Sequence, residues 1–243
     1  MWSASQQNNW HGGQILIYSI CDIGLKRATN EDCIYTSPKL IAVADGMGGH
    51  KAGEIASKMA CDELKKHENI KLSIGAIRKV FDSVNTAIYI AQRNDEALAN
   101  MGTTLTAMWI DKKHVWIGHV GDSRAYRLRK DTMERLTNDH SFVGNLLQYN
   151  IITEEQARVH HLRNQIDRAM GIESSIICDV IKTDIQPGDI FLLCSDGLSS
   201  MAPLEDIKEV LIRNNDEPAI ALKDLAIHNG GADNISAIVY KED

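Results

Sequence analysis

Short apolar runs separated by turn residues recur along the chain. A run of roughly four to eight apolar residues between turn signals is typical of a β-strand buried in a sheet. The pattern predicts strands at residues 14–21, 40–44, 103–110, 115–120, 125–129, 178–183, 190–194 and 235–240. The connections between the predicted strands from 103 to 129 are too short for a crossover helix, so we expect these strands to pair antiparallel.

Apolar residues at helical spacing fill several of the longer segments between these strands. This pattern predicts helices at residues 53–67, 74–93, 204–213 and 218–228. The buried side is predicted from Ile55, Met59 and Leu64 in the first helix, and from Ile77, Phe81, Val84 and Ile88 in the second. Antiparallel strands combined with separate pairs of helices favour a layered α+β fold over a doubly wound parallel sheet.

Composition and charge narrow the possible classes of protein. The chain has 243 residues, 44% of them hydrophobic, and its lack of a low-complexity linker predicts a single domain over residues 1–243. The net charge of -7 disfavours nucleic acid as a partner. No apolar run approaches the roughly 20 residues of a membrane span, so we expect no membrane insertion. Five widely spaced cysteines are typical of a reducing compartment, and we expect a cytoplasmic location.

Four aspartates stand at comparable places, each beside a predicted strand end and near glycine: Asp45, Asp122, Asp196 and Asp233. A single Asp-Gly pair is ordinarily a solvated turn. Four of them together indicate a site for hard cations such as Mg²⁺ and Mn²⁺, which prefer carboxylate, carbonyl and water oxygens. If the strand ends converge, such a site can activate a water and hold both the attacking and the leaving oxygen.

A basic residue lies close to two more acids in the segment Arg27-Ala28-Thr29-Asn30-Glu31-Asp32. Arginine binds phosphate through a planar, two-pronged set of donors. Taken alone, the segment is more simply interpreted as a surface loop of mixed charge. Beside a carboxylate-rich, glycine-lined site, it favours metal-assisted hydrolysis of a phosphate ester.

Eight short blocks, in order, resemble the metal-dependent serine/threonine protein phosphatases of the type 2C class in their bacterial single-domain form. The blocks are Arg27-x-x-Asn30-Glu31-Asp32, Asp45-Gly46-Met47-Gly48-Gly49-His50, Gly53-Glu54, Gly102-Thr103-Thr104, Gly121-Asp122-Ser123-Arg124, Asp139-His140-Ser141, Ser195-Asp196-Gly197 and Asp233-Asn234. The resemblance implies a four-layer αββα sandwich, in which helices flank two central antiparallel sheets. It also implies a monomer that acts on phosphorylated proteins, the substrates of a bacterial serine/threonine kinase.

The same resemblance implies roles for individual residues. Asp45 is similar to the acid that bridges two Mn²⁺ or Mg²⁺ ions, and the Gly46 carbonyl contacts one of them. Asp196 and Asp233 resemble further metal ligands, while Glu31 and Asp32 resemble acids that hold metal-bound waters. Asp122, together with Asp196, matches the acids around a third ion in bacterial members. Arg27 would bind the substrate phosphate, and a water activated at the two-metal centre would attack phosphoserine or phosphothreonine directly.

Two departures from the family pattern affect the predicted chemistry. Met47 stands where animal members carry the histidine assigned as general acid, and a thioether cannot donate a proton. His50 and a metal-bound water remain as alternatives. Residues 141–170 resemble the family's flap beside the site, but Asn150 and His161 stand where bacterial relatives often have glycine and proline.

Two other hypotheses remain open. The spacing from Cys21 to Arg27 fits a thiolate-based phosphatase, in which a cysteine attacks the phosphate. Asp22 disfavours this reading because its carboxylate would lie beside a bound dianion. The second alternative is a non-catalytic module that binds phosphoproteins, which the retained acids and Arg27 disfavour.

Overall fold

The computed structural model describes residues 6–12, 15–48, 52–213 and 216–242 of the chain. Its strands are β1 (Gln6–Gly12), β2 (Ile15–Asp22), β3 (Asp32–Thr36), β4 (Leu40–Met47), β5 (Gly102–Thr103), β6 (Leu105–Ile110), β7 (His114–Val120), β8 (Arg124–Arg129), β9 (Thr132–Arg135), β10 (Asp179–Asp184), β11 (Ile190–Cys194) and β12 (Ile235–Glu242). Its helices are α1 (Ala52–Lys65), α2 (Ile74–Asn94), α3 (Phe142–Gln148), α4 (Glu154–Val159), α5 (Asp196–Ser199), α6 (Leu204–Arg213) and α7 (Pro218–His228), with a 3₁₀ turn at Glu96–Leu98.

The strands form two antiparallel sheets. The first has the order β1-β2-β12-β11-β8-β9, and the second has the order β10-β7-β6-β4-β3, with β5 paired to β4. Buried side chains from both sheets meet between them, among them Ile17, Phe191 and Tyr240 from the first sheet and Val43 and Ile117 from the second. The two sheets therefore pack face to face, as expected for a sandwich.

Helices cover the outer face of each sheet. The helices α1 and α2 pack on the second sheet, where Leu64, Phe81 and Ile88 are buried. The helices α6 and α7 pack on the first sheet through buried residues that include Leu211 and Leu222. The predicted α+β, four-layer αββα architecture is confirmed.

The predicted buried face of α1 is confirmed at Leu64, which is fully buried, and at Met59, which packs against the core, but it is wrong at Ile55. Ile55 is 36% exposed, and the buried face consists mainly of small residues, among them Ala52, Gly53, Ala56 and Ala60. Small side chains let this helix approach β4 closely, since the Gly53 carbonyl lies against the backbone of Gly46. In α2, by contrast, all four predicted face residues are buried.

The ladder registers bring the predicted strand ends to one edge of the sandwich. In the second sheet, Asp32 at the start of β3 pairs with Asp45 near the end of β4, and the end of β7 lies next to the start of β6. In the first sheet, β11 ends at Cys194 opposite Arg124, and β12 starts at Ile235. Residue 14 of the first predicted strand lies outside the described residues. Within the described ranges, no helix is long and apolar enough to cross a membrane.

Candidate active site

The backbone at the end of β4 is fixed from two sides. The Asp45 N–H donates to Thr104 Oγ1 at 2.9 Å, and the Asp45 carbonyl accepts from Thr104 N at 2.8 Å and from Thr103 Oγ1 at 2.9 Å. The next residue, Gly46, donates its N–H to the Glu31 carbonyl at 3.1 Å. These bonds set the direction in which the Asp45 side chain leaves the strand.

Only glycine fits at position 46. A Cβ added there would lie 2.2 Å from the Gly53 carbonyl oxygen and 2.5 Å from the Glu31 carbonyl oxygen. Both contacts are with backbone atoms, so no side-chain rotation can relieve them. The segment that carries Glu31, the end of β4 and the start of α1 are thus packed backbone to backbone beside Asp45.

Asp32 lies across the β3–β4 ladder from Asp45, and its side chain is buried. Its Oδ2 accepts a hydrogen bond from Ser195 Oγ at 2.8 Å, whereas its Oδ1 is buried without a hydrogen-bond partner. Ser195 in turn accepts from the Ser236 N–H at 3.0 Å. A buried oxygen without a donor is rare in folded proteins, so Asp32 Oδ1 points to a partner of another kind, such as a cation or its water.

Asn234 ties three segments together beneath the site. Its Nδ2 donates to the carbonyls of Ile23 and Thr29, both at 3.0 Å, and its Oδ1 accepts from the Glu31 N–H at 2.8 Å. The loop that carries Arg27 and Glu31 is therefore anchored next to Asp233. Asn234, Ser195 and Thr104 all occur in the sequence blocks, but no role for them was predicted.

Arg27 pairs with Asp233 in the structure. The two side chains meet at 2.7 Å between Arg27 Nη2 and Asp233 Oδ2, and the Arg27 side chain is 51% exposed. The pKa of Glu31 is raised by burial and by Asp233, while Arg27 opposes this shift. Arg27 thus stands at the solvent-facing rim of the acid cluster, where its unused N–H groups can receive an anion.

The clustered carboxylates destabilise one another in their charged form. Burial, followed by the charges of Asp32 and Asp196, raises the pKa of Asp45 well above its ordinary value. Burial raises the pKa of Asp32 to about 7, although the Ser195 hydrogen bond opposes this shift, and burial with Asp233 raises that of Asp196 to about 6. Burial and Asp196 also raise the pKa of Asp122. Divalent cations would remove this repulsion.

The donor set fits a hard divalent cation. Every candidate ligand supplies oxygen, namely the carboxylates and the Gly46 carbonyl, and Asp32 Oδ1 is buried without a donor. In the described part of the chain, no group of three or more His, Cys, Asp or Glu side chains is arranged as a ready metal cage. Ions such as Mg²⁺ keep several waters and need only one or two carboxylates each, so the set can serve them without such a cage.

Asp122 sits in the β7–β8 turn, which the neighbouring structure supports closely. Gly121 has φ 109°, and a Cβ there would lie 2.6 Å from Thr104 Cβ. The Gly121 N–H donates to His140 Nδ1 at 3.1 Å, and the His140 ring lies 4.7 Å from that of His119. The structure therefore brings Asp122 to the same edge as the other predicted acids.

Asp139 is a buried acid that sequence analysis did not assign to the site. Arg124 contacts it through Nε at 3.1 Å and Nη2 at 2.7 Å, and Arg135 forms a second ion pair with it. Although burial raises its pKa, Arg124 and Arg135 lower it below the ordinary value. Asp139 is thus a charged partner of two arginines and holds Arg124 behind the Asp122 turn.

The position of the family's general acid is occupied by a residue without a titratable proton. Met47 is half-buried and pairs with Gly102 of β5. His50, the only histidine that the sequence analysis offered as an alternative proton donor, lies outside the described residues.

The alternative nucleophile, Cys21, is poorly suited to attack a phosphate. Its sulfur is buried and accepts hydrogen bonds from Asn30 Nδ2 at 3.2 Å and Ser236 Oγ at 3.3 Å. Burial and the charge of Asp32 raise the pKa of the thiol to about 12, whereas a nucleophilic cysteine needs a low pKa. The residues after Arg27 do not begin a helix that could bind the anion.

The predicted flap at residues 141–170 contains α3 and α4 and is anchored at both ends. Ser141 forms a β-bridge with Ile166, and Met170 forms one with Thr103 beside Asp45. Asn150 has φ 54°, the left-handed conformation that glycine adopts most easily. Farther along, Arg158 Nη2 donates to the Ala202 carbonyl at 3.0 Å and so ties α4 to the segment before α6.

Comparison with known protein families shows which family this chain belongs to. A profile described as Protein phosphatase 2C matches residues 29–222. The chain belongs to the protein phosphatase 2C family. The match covers the blocks from Asn30 to Asp196, and Arg27 and Asp233 lie just outside it.

Individual members of the protein phosphatase 2C family are similar over most of this chain. It is 39% identical over 223 residues to serine/threonine protein phosphatase PstP of Mycobacterium tuberculosis, which covers 90% of this chain but 43% of that protein. It is 38% identical over 211 residues to serine/threonine phosphatase stp of Listeria innocua, covering 83% of this chain and 84% of that one. A solved structure of the PstP catalytic domain with two manganese ions is 34% identical, with a TM-score of 0.86 over 93% of this chain and 97% of that domain.

Proposed function

We propose that this chain is a protein serine/threonine phosphatase, which hydrolyses phosphoserine and phosphothreonine on proteins by direct attack of water at a two-metal centre. The convergence of the acids carries this proposal. Asp32 and Asp45 face each other across one ladder, and Asp196, which follows β11 of the other sheet, is close enough for its charge to raise the pKa of Asp45. The manganese-bound relative and the family's name support the same assignment.

We propose the following metal ligands, whose roles are those that the family resemblance implies. Asp45 would bridge two Mn²⁺ or Mg²⁺ ions, the Gly46 carbonyl would contact one of them, and Asp196 and Asp233 would complete the set. Glu31 and Asp32 would hold waters of these ions, and Asp122 with Asp196 would hold a third. When bound, the ions supply positive charge for the phosphate and a water that ionises near neutral pH.

The remaining residues position the substrate and the acids. Arg27 would bind the phosphate with the N–H groups that Asp233 does not use. Ser195 keeps Asp32 Oδ2 oriented, which leaves Oδ1 turned toward the site. Met47 has no proton to give to the leaving oxygen, so that proton comes from water or from His50.

The relatives support a proposal for the substrate class, because those named here are serine/threonine phosphatases of bacteria. We propose phosphoproteins made by a bacterial serine/threonine kinase as substrates. We also propose that the enzyme is cytoplasmic and monomeric.

The direct experiment measures phosphate release from a phosphothreonine peptide with Mn²⁺, comparing wild type with Asp45→Asn. Asp45→Asn should abolish turnover and leave the fold intact, because amide oxygen cannot replace the charge of a bridging carboxylate. Asp131→Asn is the matched control, since Asp131 is an exposed aspartate in the β8–β9 turn. Wild-type activity in Asp45→Asn, with metal content verified, would overturn the site assignment.

Chelation separates this function from the alternatives. We expect thorough removal of divalent metal to abolish activity and Mn²⁺ to restore it. Activity that survives chelation but is lost in Cys21→Ser would indicate a thiolate mechanism. Tight phosphopeptide binding without turnover at any metal concentration would indicate a non-catalytic module.

A further inference from the structure

Three of the five cysteines gather beside the candidate active site. Cys21, Cys33 and Cys61 line one solvent-open cleft of about 400 Å³, together with Lys58 and Glu54. All five cysteines are free thiols. The other two, Cys178 and Cys194, are buried and do not line this cleft.

Two of these thiols are neighbours. Cys33 of β3 packs against the hydrophobic cluster that contains Cys61 of α1, and both side chains line the cleft. Cys33 is half-buried at the wall of the cleft, whereas Cys61 is 4% exposed. Cys33 is therefore the more accessible of the two to a small reagent, and Cys61 is the more deeply buried.

Cys21 is held away from this pair by its own partners. Asn30 Nδ2, Ser236 Oγ and the Asp32 carbonyl all contact its sulfur. A disulfide to Cys21 would break these contacts. Cys33, by contrast, would give up only its long contact with the Ile34 carbonyl, at 4.0 Å.

We propose that Cys33 and Cys61 are a redox modification site, which forms a reversible disulfide with a peroxide as the oxidant. The Cys33 sulfur attacks one peroxide oxygen, the O–O bond breaks, and the thiol proton leaves with the other oxygen as water. The Cys61 sulfur then attacks the Cys33 sulfenic acid. The S–S bond forms, the S–O bond breaks, and a second water leaves with the Cys61 proton. A thiol reductant returns both cysteines to the free form.

The disulfide would act on the site through its two anchor points. Cys33 directly follows Asp32, and the first turn of α1 contains Gly53, at which a Cβ would lie 2.9 Å from the Glu31 carboxyl carbon. A disulfide requires the sulfurs to approach to about 2 Å, closer than any hydrogen-bonded contact, so β3 and α1 must shift. This consequence for turnover rests on the proposed phosphatase function, whereas the disulfide itself does not.

The test treats the metal-loaded protein with hydrogen peroxide, blocks the remaining thiols, and maps the peptides by mass spectrometry without reduction. We expect a linked peptide pair containing Cys33 and Cys61, lighter by two hydrogen atoms and lost on reduction. Cys178→Ser should form the same pair, and Cys33→Ser should form none. A map that shows no Cys33–Cys61 pair, or a pair that includes Cys21 instead, would overturn the proposal.

The effect of the disulfide on phosphatase activity is measured with the same samples. The disulfide-linked protein should release phosphate roughly tenfold more slowly than reduced protein, because active-site shifts near 1 Å have effects of this order or larger. Reduction should restore the rate, and peroxide should not slow Cys33→Ser to the same extent. Equal rates in the linked and reduced protein would overturn the regulatory consequence. If the reduced protein has no phosphatase activity, the proposed function is contradicted. The peptide map still tests whether the Cys33–Cys61 disulfide forms.

Discussion

Replacing Gly46 with alanine tests whether the close backbone packing next to Asp45 sets the geometry of the site. The added Cβ would lie 2.2 Å from the Gly53 carbonyl oxygen and 2.5 Å from that of Glu31. Nonbonded carbon and oxygen need well over 3 Å, so the end of β4 must move by about 1 Å from its neighbours. Both obstacles are backbone atoms, and the shift therefore falls on Asp45 and on the Glu31 segment.

The expected effect of Gly46→Ala on catalysis is large. A misplacement of about 1 Å in an active site can lower the rate by about 100-fold. Overpacking of this kind lowers the free energy of unfolding by about 1–3 kcal/mol, which leaves the protein folded at room temperature if its stability is ordinary. We therefore expect kcat/KM on a phosphothreonine peptide to fall by about two orders of magnitude with a modest loss of stability.

The matched control for Gly46→Ala is Gly75→Ala. Gly75 lies in the first turn of α2, and a Cβ there would meet nothing within 4 Å. Alanine favours a helix over glycine by up to about 1 kcal/mol, so this variant should be unchanged in activity and slightly more stable. The assay measures initial rates at saturating Mn²⁺, and urea unfolding measures stability. A Gly46→Ala enzyme with the activity of Gly75→Ala would refute the reasoning.

Three further predictions concern the residues around the acids. Arg27→Ala should raise KM roughly tenfold with kcat nearly unchanged, because an anchor outside the metal pair binds ground state and transition state alike; a reduced kcat at unchanged KM in steady-state kinetics would contradict this role. Ser195→Ala removes the donor to Asp32 Oδ2 and should lower the free energy of unfolding by about 1.5–3 kcal/mol, and urea unfolding that matches wild type would argue against it. The raised pKa values of Asp32, about 7, and Asp196, about 6, mean that protons compete with metal, so apparent Mn²⁺ affinity in calorimetry should weaken as pH falls below about 7. Ser195→Ala should move that weakening to higher pH, since the Ser195 hydrogen bond lowers the pKa of Asp32, and an affinity that is constant between pH 5 and 8 would contradict both statements.

Sequence patterns identified the elements that are long and uniformly apolar on one side. The limits of β11, α6 and α7 match the predicted ranges. Strands β1, β3 and β9 escaped prediction because they lack a continuous apolar run: β1 is largely polar in sequence, β3 has one buried residue, and β9 has none. The prediction for α1 was wrong at Ile55, which is 36% exposed, because close helix–strand approach selects small residues on the buried face.

The sequence also located some residues of the candidate site and missed others. The strand-end pattern located Asp45, Asp122, Asp196 and Asp233, and the fold brings them to one edge. The pattern gave no role to Ser195, which bonds Asp32 although 163 positions separate them in the chain. Contacts of this range depend on the register of two sheets, which periodicity in one sequence does not define.

The central claim is that Asp45 bridges two divalent ions, and anomalous diffraction from crystals grown with Mn²⁺ tests it most directly. We predict two manganese peaks on either side of the Asp45 carboxylate, one of them in contact with the Gly46 carbonyl, and their loss in Asp45→Asn crystals. A third peak would lie near Asp122 and Asp196. Manganese that binds without contacting Asp45, or the same two peaks in Asp45→Asn, would contradict the account.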